Sequence, residues 1–200
     1  MLRQKLTKEI VMKKRIVIMV LSAIMCQALS GKALSQTRID NLWISAGAGL
    51  NSLGLGAALG LSCQYGGHTV SIRYSSASEF RFFDPYSPTP PNNVHDFALL
   101  YCLAEHRSKW SLSMISIGLG LAEGQRRGRV LGPASNFWSY HPYHEVYETA
   151  GFSTVGIAFD AQSSFTPLSV LGLGLDLLGN VNGRSSYVSI LVSLQMGKVN

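Results

Sequence analysis

From Trp43 to Gly197 the chain keeps a two-residue rhythm: one parity is apolar and the other is glycine, serine or alanine. Between Gly54 and Tyr65 one parity reads Leu55, Ala57, Leu59, Leu61, Cys63, Tyr65, and the other reads Gly54, Gly56, Ala58, Gly60, Ser62, Gln64. Period two belongs to a strand, because successive side chains leave a pleated strand on opposite faces. A strand half-buried in water shows Lys, Glu or Thr on its open face. Small uncharged residues predict a cramped interior instead, with the apolar parity turned to lipid. The rhythm therefore predicts a membrane β-barrel.

Residues 1–35 do not share it. Lys13, Lys14 and Arg15 precede the apolar run Ile16 to Met25, and the small-residue site Ala33-Leu34-Ser35 follows. That order is a secretory signal peptide, with cleavage expected after Ser35 and residues 36–200 as the exported domain. Met12 opens a typical signal, so Met1 to Val11 reads as an upstream extension. The apolar run is shorter than the roughly 20 residues a spanning helix needs, which argues against a retained anchor. The segment holds seven Lys/Arg and one Glu; subtracting them from the 17 Lys/Arg and 11 Asp/Glu of the chain leaves ten of each. The formal +6 thus belongs to the leader, and a near-neutral mature chain lacks the basic surface that nucleic-acid binding needs. Cys63 and Cys102 remain after cleavage but have opposite parity, so no disulfide is expected, and no metal motif surrounds either.

Eight alternating segments follow, at roughly 41–51, 53–65, 68–77, 95–106, 109–122, 149–161, 167–179 and 185–197. In the fifth, Leu112 and Met114 fall on the wrong parity, and a β-bulge near Met114-Ile115 would restore it. Outer-membrane barrels alternate short periplasmic turns with longer external loops. The second, fourth and sixth links are short (Gly66-Gly67, Arg107-Ser108 and Ser163 to Thr166), whereas the third (Ser78 to Val94) and fifth (Glu123 to Glu148) are long. The expected fold class is all-β: an eight-stranded antiparallel up-and-down transmembrane β-barrel with both termini periplasmic. Eight strands leave a lumen that side chains can fill, so an open pore is not expected.

On the signal peptide, strand number, alternation and loop asymmetry, residues 41–198 resemble the small eight-stranded outer-membrane β-barrel proteins of Gram-negative bacteria, the OmpA-like and OmpX-like class. The resemblance implies an outer-membrane location and assembly by the outer-membrane insertion machinery. Those proteins end in an aromatic residue, whereas this chain ends Met196-Gly197-Lys198-Val199-Asn200.

Arg73, Asp160 and Asp176 share inward parity, and an ion pair of Arg73 with one or both carboxylates is expected, since an unpaired buried charge is costly. A structural plug and a proton relay both use such a pair; the plug requires only burial. In the third link, Phe80, Phe82, Phe83 and Tyr86 lie among four prolines, suited either to a partner or to covering the barrel mouth. The fifth link carries Arg126, Arg127 and Arg129, suited to lipopolysaccharide phosphates by their bidentate fork. Beyond them come Trp138, Tyr140, His141 and His144. His141, His144 and Glu145 lack the spacing of a metal site, and no cofactor is expected. The Gly-x-Gly patterns open no helix and lie in no βαβ unit, which excludes the dinucleotide reading.

The expected role is non-catalytic, in envelope structure or surface interaction through two long external loops, with outer-membrane lipid and lipopolysaccharide as surroundings and no surface partner identifiable. Two alternatives stand beside it. Ser75, Ser76, His95 and Asp96 near the external rim could form a Ser-His-Asp site acting on lipid acyl chains. A soluble lipocalin-like barrel would instead line a ligand cavity with the apolar parity.

Overall fold

In the computed structural model, residues 39–79, 92–134, 144–168 and 170–198 are described. They form β1 (Ile39–Asn51), β2 (Gly54–Tyr65), β3 (His68–Glu79), β4 (Asn93–Arg107), β5 (Ser111–Ala134), β6 (His144–Leu168), β7 (Leu171–Val181) and β8 (Tyr187–Lys198). Each strand pairs antiparallel with the next, and β8 pairs with β1, giving a closed barrel without a free sheet edge in its wall. Closure satisfies every wall strand's backbone groups internally, which an apolar surrounding demands. The turns joining β2 to β3, β4 to β5 and β6 to β7 share one end with the start of β1 and the end of β8, here called the terminal end. The other is the loop end.

The apolar parity faces outward on every strand: Leu119 is 68% exposed, Ile190 61% and Leu175 60%. A barrel in water would expel such a belt from its surface, whereas lipid accommodates it. This is the reverse of a lipocalin, whose apolar side chains line the cavity, so that alternative fails. Most inward positions are small or polar, and Ser62, Ser71, Ser75, Ser116, Ser164, Ser189 and Ser193 are buried there. Tight turns obey local chemistry. Gly66 and Gly67 both take positive φ (54° and 81°), the backbone a two-residue hairpin requires and one that few other residues adopt.

Three differences from the sequence reading have physical causes. The bulge lies on β4 rather than β5: the β4–β5 register steps from Cys102↔Ser116 to Ala104↔Ile115, leaving Leu103 extra. β5 therefore stays in phase, and Leu112 and Met114 face inward, where they pack with Trp43 and Cys102 at the terminal end of the lumen. The β6–β7 link does not fall at Ser163 to Thr166: β6 runs to Leu168 and β7 starts at Leu171, because Ser163, Ser164 and Phe165 continue pairing with β7. Most of the fifth link is strand: β5 runs to Ala134 and β6 starts at His144, so this link is a paired ribbon.

Candidate functional site

Two regions carry polar chemistry: the lumen, and the ribbon at the loop end. In the lumen β3 delivers Arg73, 3% exposed, opposite Gly60 and Ala98, whose small size admits its long side chain. Its guanidinium meets Asp96 at 3.2 Å and Asp160 at 3.5 Å, and it donates to the carbonyls of Phe159 at 2.8 Å and Gly179 at 3.2 Å. Asp96 also accepts from Asn180 Nδ2 at 2.9 Å and from the Tyr187 hydroxyl at 3.0 Å, and that hydroxyl further bonds Ser75. Five strands thus converge on one cation and two carboxylates. Charge-assisted bonds of this kind are the stronger class, and burial removes the water that would compete with them.

Asp176 does not join the pair. It accepts from Gln162 Nε2 and Ser193 Oγ, both at 3.0 Å, one step closer to the terminal end. A cavity of about 20 Å³, room for roughly one water, lies between the two groups, with Asp160 and Asp176 in its lining. Nearer the terminal end Glu105 accepts from Gln64, Thr69 and Arg107, and Arg107 lies over the Trp43 ring. The sequence reading placed Arg73, Asp160 and Asp176 in the lumen by parity. Asp96, Glu105 and Arg107 belong with them. Parity already announced Asp96, which alternates with the outward Phe97, Leu99 and Tyr101; Glu105 and Arg107 turn inward only because of the bulge at Leu103.

Apolar clusters bracket this network. Ala77, Val94, Ala122, Leu178, Tyr187 and Leu191 fill the loop end, and Trp43, Leu112 and Met114 the terminal end. Gly120 is required by close approach: a Cβ there would strike Asn180 Nδ2 and Asp96 Oδ1.

The conceivable Ser-His-Asp arrangement is not assembled. Asp96 and Ser75 face inward as register partners, but His95 leaves β4 on the opposite face, where its Nδ1 bonds the Tyr74 hydroxyl at 2.9 Å. The pleat that exposes His95 buries its neighbour.

At the loop end, β5 loses β4 as partner after Gln125, and β6 has β7 beside it only from Ile157 onward. Between those points β5 and β6 pair with each other alone, rising as a two-stranded ribbon past the rim. Both extra residues of its register shifts sit on β5, as do Gly132 and Pro133, while β6 runs regularly. The three arginines part company. Arg127 is held by Glu79 at 2.5 Å and lies over the Tyr147 ring. Arg126 and Arg129 are exposed, and Arg126 donates to the Arg184 carbonyl at 3.2 Å, setting two guanidinium groups on one rim. Trp138, Tyr140 and His141 lie outside the described residues, as does the side chain of His144, and with them the weak metal reading. The aromatics of the third link, Phe80 to Tyr86, also lie outside.

Comparisons with known family profiles and with curated protein sequences return no match for this chain. Solved structures do match. The chain is similar to Ail, the attachment invasion locus protein of Yersinia pestis, at 11% identity and a TM-score of 0.50, covering 80% of this chain and 99% of that one. It is similar to Neisserial surface protein A at 8% identity and 0.50 (78% and 94%), and to the N-terminal β-barrel domain of Pseudomonas aeruginosa OprF at 9% and 0.50 (80% and 98%). At such identities likeness concerns the fold alone, and on that ground the chain has the fold of the small eight-stranded outer-membrane β-barrels.

Proposed function

We propose that this protein is a non-catalytic outer-membrane barrel that makes contacts at the cell surface through its loop end. The observation that carries the reading is the β5–β6 ribbon, which rises past the rim with its β6 edge unpaired among the described residues. An unpaired edge offers N–H and C=O groups to an added strand, and natural proteins blunt such edges with bulges and prolines. Here β5 carries those devices and β6 does not. The outer-membrane location is supported by the apolar belt, by the closed eight-stranded wall and by the signal-like leader. The exposed Arg126, Arg129 and Arg184 suit the phosphates of lipopolysaccharide at the same rim.

Three measurements test this. Fractionation places the product in the outer membrane with heat-modifiable gel migration; a soluble periplasmic product refutes the reading. Thr149→Cys, exposed on the ribbon, is expected to react with a membrane-impermeant maleimide on intact cells, whereas labelling only after lysis would put the ribbon on the wrong side. A chain in which a short turn joins Gln125 to Gly151 keeps the barrel and loses cross-linking to surface partners. Unchanged cross-linking would remove the ribbon from the function.

A further inference from the structure

The outer wall is not uniformly rough. Across β4 to β8 it holds a groove of about 470 Å³ on the lipid-facing side, where Ala104, Ser113, Ala161 and Ser163 stand among larger side chains. Ala104, Ile115, Ala161, Leu177 and Ile190 are successive register partners and form one row across five strands. One outward step closer to the terminal end lies a second row, His106, Ser113, Ser163 and Leu175. Ala161, Ser113 and Ser163 make the floor low, and Ile115, Leu175 and Leu177 stand above it as walls.

The groove is graded along its length. The row nearer the membrane centre is wholly apolar. The next contains two hydroxyls and an imidazole, and Ser113 and Ser163 bond each other at 3.2 Å, which relieves them of the cost of facing lipid alone. One further outward step along β6 comes Phe165, stacked on Trp110 with ring centroids 6.4 Å apart. Lys109, exposed in the β4–β5 turn, holds its ammonium 5.1 Å from the Trp110 ring centroid. Trp with Lys marks a membrane–water interface. From the terminal end toward the bilayer centre the order is therefore cation, aromatic platform, hydroxyl pair, apolar trough.

We propose that this groove is a docking site for one anionic glycerophospholipid of the leaflet at the terminal end. In this assignment the phosphate lies at Lys109, the ester region at Ser113 and Ser163, and an acyl chain in the trough over Ala161. The gradient selects this occupant: a molecule anionic at one end and apolar at the other matches the order of cation, hydroxyl pair and trough, and a soluble ligand could not fill a trough open to lipid. The proposal rests on the reading of the wall as membrane-embedded.

The test uses the full barrel in nanodiscs of phosphatidylcholine with a minor share of phosphatidylglycerol. Transfer to mild detergent and native mass spectrometry then count the lipids retained. One phosphatidylglycerol per barrel is expected. Ala161→Phe, which fills the trough, abolishes retention, while Ala48→Phe on the outer face of β1 leaves it unchanged. Lys109→Gln lowers the preference for phosphatidylglycerol over phosphatidylcholine about fivefold, the effect of one interfacial cation. Equal retention of both lipids by the unaltered barrel, or equal loss from Ala161→Phe and Ala48→Phe, overturns the site. A dimer that Ala161→Phe dissociates assigns the groove to a second copy and overturns it too. Heat-modifiable migration reads folding separately: a barrel that folds in the bilayer yet keeps no lipid overturns the groove alone, and one that never enters the bilayer overturns the membrane reading with it.

Discussion

At the scale of single residues, Arg73 is the cation paired with both Asp96 and Asp160 among the described residues. Replacing it with Leu leaves Asp96 and Asp160 without their cation, a change that costs about 3–5 kcal/mol in buried pairs. Urea titration of the barrel folded in vesicles is expected to show that loss with no new ion conductance in planar bilayers; a conductance would overturn the plug. Tyr187→Phe removes the hydroxyl that bridges Asp96 and Ser75 and is expected to cost about 1–3 kcal/mol in the same assay. Gly120→Ala is expected to destabilise by about 1–3 kcal/mol, since the new methyl meets the Asn180–Asp96 bond. Inward parity already marked Arg73 and Asp160 as lumen residues, because a pleated strand assigns a face to every position. Which carboxylate meets which guanidinium was not written there. Asp176 has the parity of Asp160 but lies against Gln162 and Ser193, and only the register of β6, β7 and β8 decides that.

At the scale of elements, the long β5–β6 hairpin joins two different environments. Its lower half is wall, paired on both sides and packed over the lumen. Its upper half is a ribbon whose edges have no wall strand beside them, and its Arg127 is tied back to Glu79 at the end of β3. Amide hydrogen exchange is expected to reflect this, with Ile117 to Ala122 protected at the level of global unfolding and Val130 to Ala134 exchanging by local opening. Uniform protection along β5 would contradict a free ribbon. The ribbon was hard to read in the sequence because Gly128, Gly132 and Pro133 read as loop chemistry. The two register shifts also break the period-two pattern that otherwise reveals a strand. The bulge at Leu103 and the break read in β5 are separate matters. β5 keeps its phase, and the break read there comes from Leu112 and Met114, apolar residues that face inward and pack with Trp43 at the terminal end.

At the scale of the whole molecule, the apolar belt and the filled interior make one object whose outside is more apolar than its inside. Leu119→Arg, on the outward face of the wall, is expected to cost about 2–4 kcal/mol when the barrel folds into vesicles, while Leu50→Arg beside the β1–β2 turn costs at most about 1 kcal/mol. Equal penalties would place both residues at one depth or outside the bilayer. Strand number, faces and the closed barrel followed from sequence because all three depend on a local period repeated over eight strands and on the chemistry of the links between them. Such signals survive without knowledge of what lies across the barrel. Register did not follow, and with it went the Arg73–Asp96 contact, the placement of Glu105, the ribbon and the groove over Ala161. Each of these is set by which residue faces which on another strand, a long-range alignment that only closure of the whole ring decides.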